Sequence, residues 1–251
     1  MTLRRKDRKA SADAVFSILG NEKSPKEKQY MKTIIYIDGY NLYYGLVKNT
    51  KYKWLDLHGL FSEIAKIQNP QSQIVSIKFF TAPVITKFSQ HKEKSQQSQN
   101  YYHKALCTKS ENCIEIINGY FDVDMSSPVL YQKPIDLKAR VKTWKLEEKQ
   151  TDVNIALEMY RDATKGICKQ QILVSSDSDL IPALSYISND FKDIVLGLVL
   201  PRSNSNKRKN KGLGQYANWT RTHINNNELE KHQLPNMIPT KKKPIYRPKY
   251  W

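Results

Sequence analysis

Along the middle of the chain the apolar positions switch between two periods. Short runs rich in β-branched and aliphatic residues at 33–38, 74–81, 113–121, 171–175 and 193–200 predict five buried strands. Between them, apolar residues recur three and four apart. In 57–67 they are Leu57, Leu60, Phe61, Ile64, Ala65 and Ile67, with Asp56 placed to cap the helix and Asn69-Pro70 to stop it. In 151–164 the stripe is Val153, Ile155, Ala156, Leu157, Met159, Tyr160 and Ala163, ended by Gly166. A third helix is predicted over 178–188 from Leu180, Ile181, Leu184 and Ile187, and an exposed one over 87–106, where the apolar stripe is weak. Residues 41–46 suit a short helix directly after the first strand. Strands separated by helices predict right-handed crossovers and a mainly parallel five-stranded sheet covered on both faces, an α/β fold.

Three stretches depart from this alternation. Residues 122–147 predict a hairpin inserted at the sheet edge, its two short strands at 129–131 and 140–144, rich in lysine and aromatic residues. Residues 1–32 are polar, with one weak amphipathic patch at 12–19, and predict an arm. Residues 201–251 predict an extension: a basic run, a short helix at 215–224 carrying Tyr216, Trp219 and Arg221, and a proline-rich extended end with Tyr246, Tyr250 and Trp251. The expected organisation is therefore a domain at 33–200 between two terminal segments.

Charge sharpens that division. The net charge of +17 divides as +5 over 1–32, +2 over 33–200 and +10 over 201–251. Two basic ends on a nearly neutral body favour a polyanion, usually nucleic acid, over simple solvation of tails. Cys107, Cys113 and Cys168 form no C-x-x-C, and their odd number argues against a disulfide framework, so a reducing cytoplasm is expected. The longest apolar run, 194–200, is too short to span a membrane, and the run at 14–19 is too short for a signal peptide.

The chemistry sits at strand ends. Asp38 follows the first strand, Asp177 and Asp179 follow the fourth, and Asp152 lies in the first turn of a helix. In parallel sheets, sites form at the carboxyl ends of strands. Each acid alone could equally cap a turn or helix. Gathered at one edge, they would repel each other and call for a cation, and oxygen ligands favour Mg²⁺ or Mn²⁺. The carboxylates are then expected to converge within reach of one ion. No two of the five histidines have zinc-ligand spacing. Walker A, G-x-S-x-G and dinucleotide fingerprints are absent as well.

Three blocks carry a resemblance: Asp38-Gly39-Tyr40-Asn41-Leu42-Tyr43, Glu148-Lys149-Gln150-Thr151-Asp152-Val153 and Val174-Ser175-Ser176-Asp177-Ser178-Asp179-Leu180. In this order they resemble the signature of the NYN-domain family, the LabA-like branch of the PIN-like metal-dependent ribonucleases. The resemblance covers 33–200. It implies a three-layer Rossmann-like sandwich, and hydrolysis of RNA with Mg²⁺ or Mn²⁺ to 5′-phosphate and 3′-hydroxyl ends. Carried over, Asp38, Asp152 and Asp177 are metal ligands, Asp179 is a further ligand or water holder, and Asn41 orients a water or phosphate. Glu148 is an additional acid, either a ligand or a solvated, lysine-paired group. Where relatives have Glu-Lys-Gly-Val-Asp, this chain has Glu-Lys-Gln-Thr-Asp, so Gln150 takes a glycine's place.

RNA is gripped by cations along its backbone and aromatic residues against its bases. Candidates are Lys142, Trp144 and Lys149 in the hairpin region, Arg208 in the basic run, and Lys241, Lys242, Lys243 and Arg247 near the end. The same tail could instead strap onto the domain. The expected partner is RNA, single-stranded or structured, tRNA included. The basic termini could also meet a protein partner, and the chain could self-associate as a homo-oligomer; no membrane is expected. Two other functions fit less of the pattern. One is an idle RNA-binding or assembly module of the same fold. The other is a glycosyltransferase using Asp177-Ser178-Asp179 as a D-x-D, which leaves Asp38 and Asp152 unexplained.

Overall fold

A computed structural model describes residues 30–203 and 212–249. The N-terminal arm before residue 30, Arg208, Tyr250 and Trp251 lie outside the described residues. The chain opens with β1 (Met31–Asp38), α1 (Gly39–Leu42) and a π turn (Tyr43–Val47). Then come α2 (Leu57–Gln68), β2 (Ser72–Thr81), a 3₁₀ turn (Thr86–Phe88), α3 (Glu93–Lys109) and β3 (Ile114–Asn118). A hairpin follows, β4 (Tyr120–Ser126) and β5 (Thr143–Lys149), leading to α4 (Thr151–Thr164) and β6 (Gln170–Val174). Next are a 3₁₀ turn (Ser178–Leu180), α5 (Ile181–Asp190) and β7 (Val195–Val199). The C-terminal part adds β8 (Trp219–Arg221), α6 (Asn226–Lys231), β9 (Met237–Ile238) and β10 (Ile245–Tyr246).

Six strands form one parallel sheet in the order β3-β2-β1-β6-β7-β8. β1 is central, and its side chains alternate between two cores. Ile35 and Ile37 join α2 and the C-terminal segment on one face, while Ile34 and Tyr36 join α4 and α5 on the other. A strand buried on both faces must be apolar throughout, which is why β1 shows no polar alternation. The result is a three-layer α/β sandwich. Among the described residues no helix is long and apolar enough to cross a membrane.

Three expectations need correcting. The sheet has six strands, not five, because Trp219–Arg221 is a parallel edge strand rather than part of a helix. Gly197 makes room for it: a Cβ there would stand 2.2 Å from the Trp219 ring. Asn218 adds two hydrogen bonds to Leu196, one from its backbone N–H and one accepted by its side chain. Second, the strand expected over 113–121 breaks at Gly119, where a Cβ would lie 2.4 Å from the Lys149 carbonyl oxygen. The chain leaves the sheet there. Third, the hairpin is longer than expected: β4 pairs with β5 from Tyr120↔Lys149 to Ser126↔Thr143 as its own two-stranded sheet, and the expected pairing of 129–131 with 140–144 shrinks to one bridge, Val129↔Arg140.

The C-terminal segment packs back on the domain. Leu213, Ile224, Leu229, Leu234, Ile238 and Ile245 are buried. Trp54, fully buried, donates its indole N–H to the Pro235 carbonyl at 2.9 Å.

Candidate active site

The strand order reverses beside β1: the chain runs outward through β2 and β3, then returns to β1's other side with β6 and β7. At such a reversal the two crossovers diverge and leave a crevice at the strands' carboxyl ends. Asp38 ends β1 there, and Ser175, Ser176 and Asp177 leave β6 there. Gly39 lets the chain turn tightly, since a Cβ would stand 2.6 Å from the Phe80 carbonyl oxygen.

Asp38 is buried and held from both oxygens. Its Oδ1 accepts the Asn41 backbone N–H at 2.9 Å, and its Oδ2 accepts the Ser175 hydroxyl at 3.0 Å. The same Ser175 oxygen accepts the Asp177 N–H at 3.0 Å, and Asn41 Oδ1 accepts the Ser176 N–H at 3.1 Å. These bonds lace the β1 and β6 turns together. Asn41 therefore spends its oxygen on the neighbouring loop and leaves its Nδ2 as the donor for anything above. Asp177 caps the following turn by accepting the Asp179 N–H at 3.0 Å.

The second half of the cluster comes from the hairpin. Glu148, near the end of β5, accepts the Thr151 hydroxyl at 2.6 Å. Asp152 follows in the first turn of α4, and it does not act as the helix cap: that position is Gln150, at φ 74° and ψ −16°. This left-handed conformation suits glycine and strains a glutamine. It explains physically why the related motif has glycine there.

The acids feel one another. Burial above all pushes Asp38 up to about 6, opposed by its hydrogen bonds from Asn41 and Ser175 and reinforced by the charges of Asp152 and Asp177. Burial likewise pushes Glu148 up to about 7, with the Thr151 hydrogen bond opposing and Asp38 and Asp152 adding repulsion. Asp152 is raised by burial, then by Asp177 and Asp179. Among the described residues no Lys, Arg or His forms an ion pair with any of these five carboxylates. They share one edge and one field, but no three acid, histidine or cysteine side chains among the described residues stand at metal-clasping distance. The expected convergence within reach of one ion is therefore not met among the described residues as the side chains are placed, although the acids lie in one another's field. The donor set still fits a hard divalent cation: oxygen only, partly buried, and destabilised by repulsion that a cation would offset.

The candidate RNA-gripping residues are scattered. Lys142 is exposed. Trp144 is 58% exposed, yet packs edge-on against Phe88 and under the Lys87 ammonium at 4.5 Å. Lys149 pairs with Glu147 at 2.6 Å. Arg247 donates to the Lys51 carbonyl at 2.8 Å. Lys241 to Lys243 form the exposed turn between β9 and β10, and Lys241 lies beside Cys107 and Thr108 at the end of α3. That end of α3 feeds the start of β3, so the lysine turn sits at the amino edge of the sheet, away from the acids. The tail straps onto the domain.

A cavity of about 580 Å³ adjoins the site and escaped notice in the sequence. Gly39 and Tyr40 form part of its wall, together with α3 and Phe121. Tyr40 also marks the boundary with the acids: its hydroxyl donates to the Ala82 carbonyl at 3.1 Å, and its pKa is raised by burial and by Glu148.

Comparison with known proteins gives two kinds of match. Residues 32–211 match the NYN domain model. The chain is 38% identical over 242 residues, 90% of its own length and 77% of the relative's, to 6-hydroxy-3-succinoylpyridine 3-monooxygenase HspA of Pseudomonas putida (strain DSM 28022 / S16). Among solved structures, a protein of unknown function, VPA0982 of Vibrio parahaemolyticus RIMD 2210633, is 16% identical with a TM-score of 0.47, covering 80% of this chain and 98% of that one.

Proposed function

The chain belongs to the NYN domain family, and from that premise we propose that its acid edge hydrolyses phosphodiester bonds of RNA with bound Mg²⁺ or Mn²⁺. One observation carries the reading: five carboxylates gather at the switch point of the sheet without a basic partner among the described residues. Asp38, Asp152 and Asp177 would hold the ion, with Asp179 and Glu148 beside them. When bound, the ion supplies charge neutralisation and lowers the pKa of a nearby water.

The chain's own residues do the rest. Ser175 and the Asn41 N–H fix the Asp38 carboxylate, and Asn41 Nδ2 would donate to a phosphate oxygen. Glu148, pushed up to about 7 by burial, would take a proton from the attacking water as that oxygen bonds to phosphorus. The bond from phosphorus to the 3′ oxygen breaks, that oxygen gains a proton from solvent, and the products are 5′-phosphate and 3′-hydroxyl ends. Lys142, Trp144 and Lys149 on the hairpin arm are candidates for strand contact, Lys149 following Glu148 directly.

A second reading rests on the 38%-identical relative named as a monooxygenase. Under it, one atom of dioxygen enters a pyridine-type ring, and the other leaves as water with two electrons from a reductant. One experiment decides between them. Wild type and Asp38→Asn are incubated with RNA and Mn²⁺, and in parallel with 6-hydroxy-3-succinoylpyridine, dioxygen and a reduced nicotinamide nucleotide. The nuclease reading expects new 5′-phosphate ends from wild type only; hydroxylated pyridine with intact RNA would overturn it.

A further inference from the structure

Two cations and an imidazole line the cavity beside the acid edge, and among the described residues none of them makes an ion pair. Lys53 is half-buried and forms no ion pair among the described residues; nor does Lys48, whose ammonium stands 4.5 Å from the Tyr44 ring centroid. Both ammonium groups are therefore available to meet an anion in the cavity. His103 lines the same space. Its ring packs edge-on against Phe79, with centroids 5.8 Å apart, and neither nitrogen has a hydrogen-bond partner among the described residues. Burial holds its pKa down at about 4, so at neutral pH it offers one donor and one acceptor.

Two other polar groups of the wall are committed. Gln99 accepts the Val84 N–H and donates to the Ala82 carbonyl, both at 2.9 Å. Tyr40 donates to the same carbonyl. One part of the wall is aromatic: Tyr40 and Tyr44 stack at 5.9 Å with 22° between their planes, and Phe121 meets Tyr40 edge-on at 5.4 Å. Such a surface stacks planar rings. The volume lies within the range of small-ligand pockets.

We propose that this cavity binds a planar nitrogen heteroaromatic ring bearing an anionic group, with His103 bonding the ring's polar edge and Lys53 and Lys48 meeting the anion. Two sources share that chemistry, a free pyridine-type carboxylate and a nucleobase with its phosphate. The site is separate from the acid edge and stands whichever reaction that edge performs.

Calorimetric titration of the full chain in chelator tests it with nicotinate, uridine 5′-monophosphate and cyclohexanecarboxylate. At least one aromatic probe is expected to bind and the saturated acid not to. Tighter nicotinate identifies a free ring as the source, tighter nucleotide a base. Lys53→Met should weaken the bound probe about tenfold, and His103→Leu by a similar factor, through a lost charge-assisted or ring hydrogen bond. Tyr44→Ala, at a 60% exposed position, gives a second weakening variant should His103→Leu fold poorly. Asp38→Asn should bind as wild type does, whether or not it still cleaves RNA. The proposal is overturned if no aromatic probe binds at millimolar concentration, if the saturated acid binds equally, or if Lys53→Met and Tyr44→Ala both bind like wild type.

Discussion

Helix α4 carries acids with opposite surroundings. Asp152, at its start, joins the carboxylates at the sheet's carboxyl edge, where repulsion and burial push protons on. Asp162, three turns later and 1% exposed, is met by the Lys78 ammonium at 2.5 Å and the Tyr36 hydroxyl at 2.8 Å. Glu158 completes that second group, accepting from Lys78 at 2.6 Å and pairing with Arg161. Burial alone would push Lys78 down; its hydrogen bonds to Asp162 and Glu158 prevail and hold it above its ordinary value. The fold neutralises the acids it keeps under the sheet and leaves those at its edge unneutralised. A buried carboxylate without a partner is neutralised either by taking up a proton, as the raised values of Asp38 and Glu148 show, or by a cation from outside. The contrast separates a paired from an unpaired carboxylate on a single helix.

Breaking the paired group should produce the largest effect. Lys78→Met leaves Asp162 buried and uncompensated, and should cost about 3–5 kcal/mol of stability. Urea denaturation is the measurement, and a loss below about 1 kcal/mol would mean that the pairing is not what holds Asp162.

The unpaired group should respond in the opposite way. Asp38→Asn or Asp177→Asn is expected to lower RNA cleavage about 10²–10³-fold. In chelator the melting temperature of Asp38→Asn should be unchanged or higher, because one repelling charge is gone. A variant that loses activity only by unfolding would erase the contrast.

Acid sensitivity sharpens it further. Asp38 and Glu148 are raised to about 6 and about 7, so the folded protein binds more protons than the unfolded chain between about pH 4 and those values. Their contribution to stability is therefore fully present below about pH 4 and is lost as pH rises through 6 and 7. In thermal melts with chelator, the difference between about pH 5 and about pH 8 should be smaller in Asp38→Asn than in wild type. Added Mn²⁺ should recover wild-type stability at the higher pH and have little effect on the variant.

The smallest change tests the hinge between hairpin and helix. Gln150→Gly removes the left-handed strain, worth about 1–2 kcal/mol, but adds unfolded-state freedom of about 0.5–1 kcal/mol. The net expected gain is at most about 1.5 kcal/mol by denaturant titration, with cleavage within about twofold of wild type. A clear loss of stability would show that the glutamine side chain holds the turn.

Much of the fold was legible locally. The β1 run, the α2 stripe with its Asp56 cap and the positions of Asp38 and Asp177 at strand ends all follow from patterns a few residues long, and the Asp56 cap is made at 3.0 Å. The break at Gly119 and the close strand approach at Gly197 were not legible, because each glycine is required by a backbone or ring arriving from elsewhere, Lys149 and Trp219. The hairpin's register eluded the pattern for a related reason: its strands are largely exposed, so no buried face imposes strict alternation.

The sequence by itself determined the periods, the caps and the spacing of the three motif blocks, since these depend on neighbours along the chain. Tertiary structure alone decided which acids are neutralised. Lys78 and Asp162 are 84 residues apart, and nothing local distinguishes Asp162 from Asp152. It also decided that Trp219 closes the sheet, that the Lys241–Lys243 turn faces away from the acids, and that the walls around His103 enclose a cavity. Charge pairing, edge closure and enclosed volume are properties of surfaces brought together from distant parts of the chain, and their energies arise only when the sheet has set those distances.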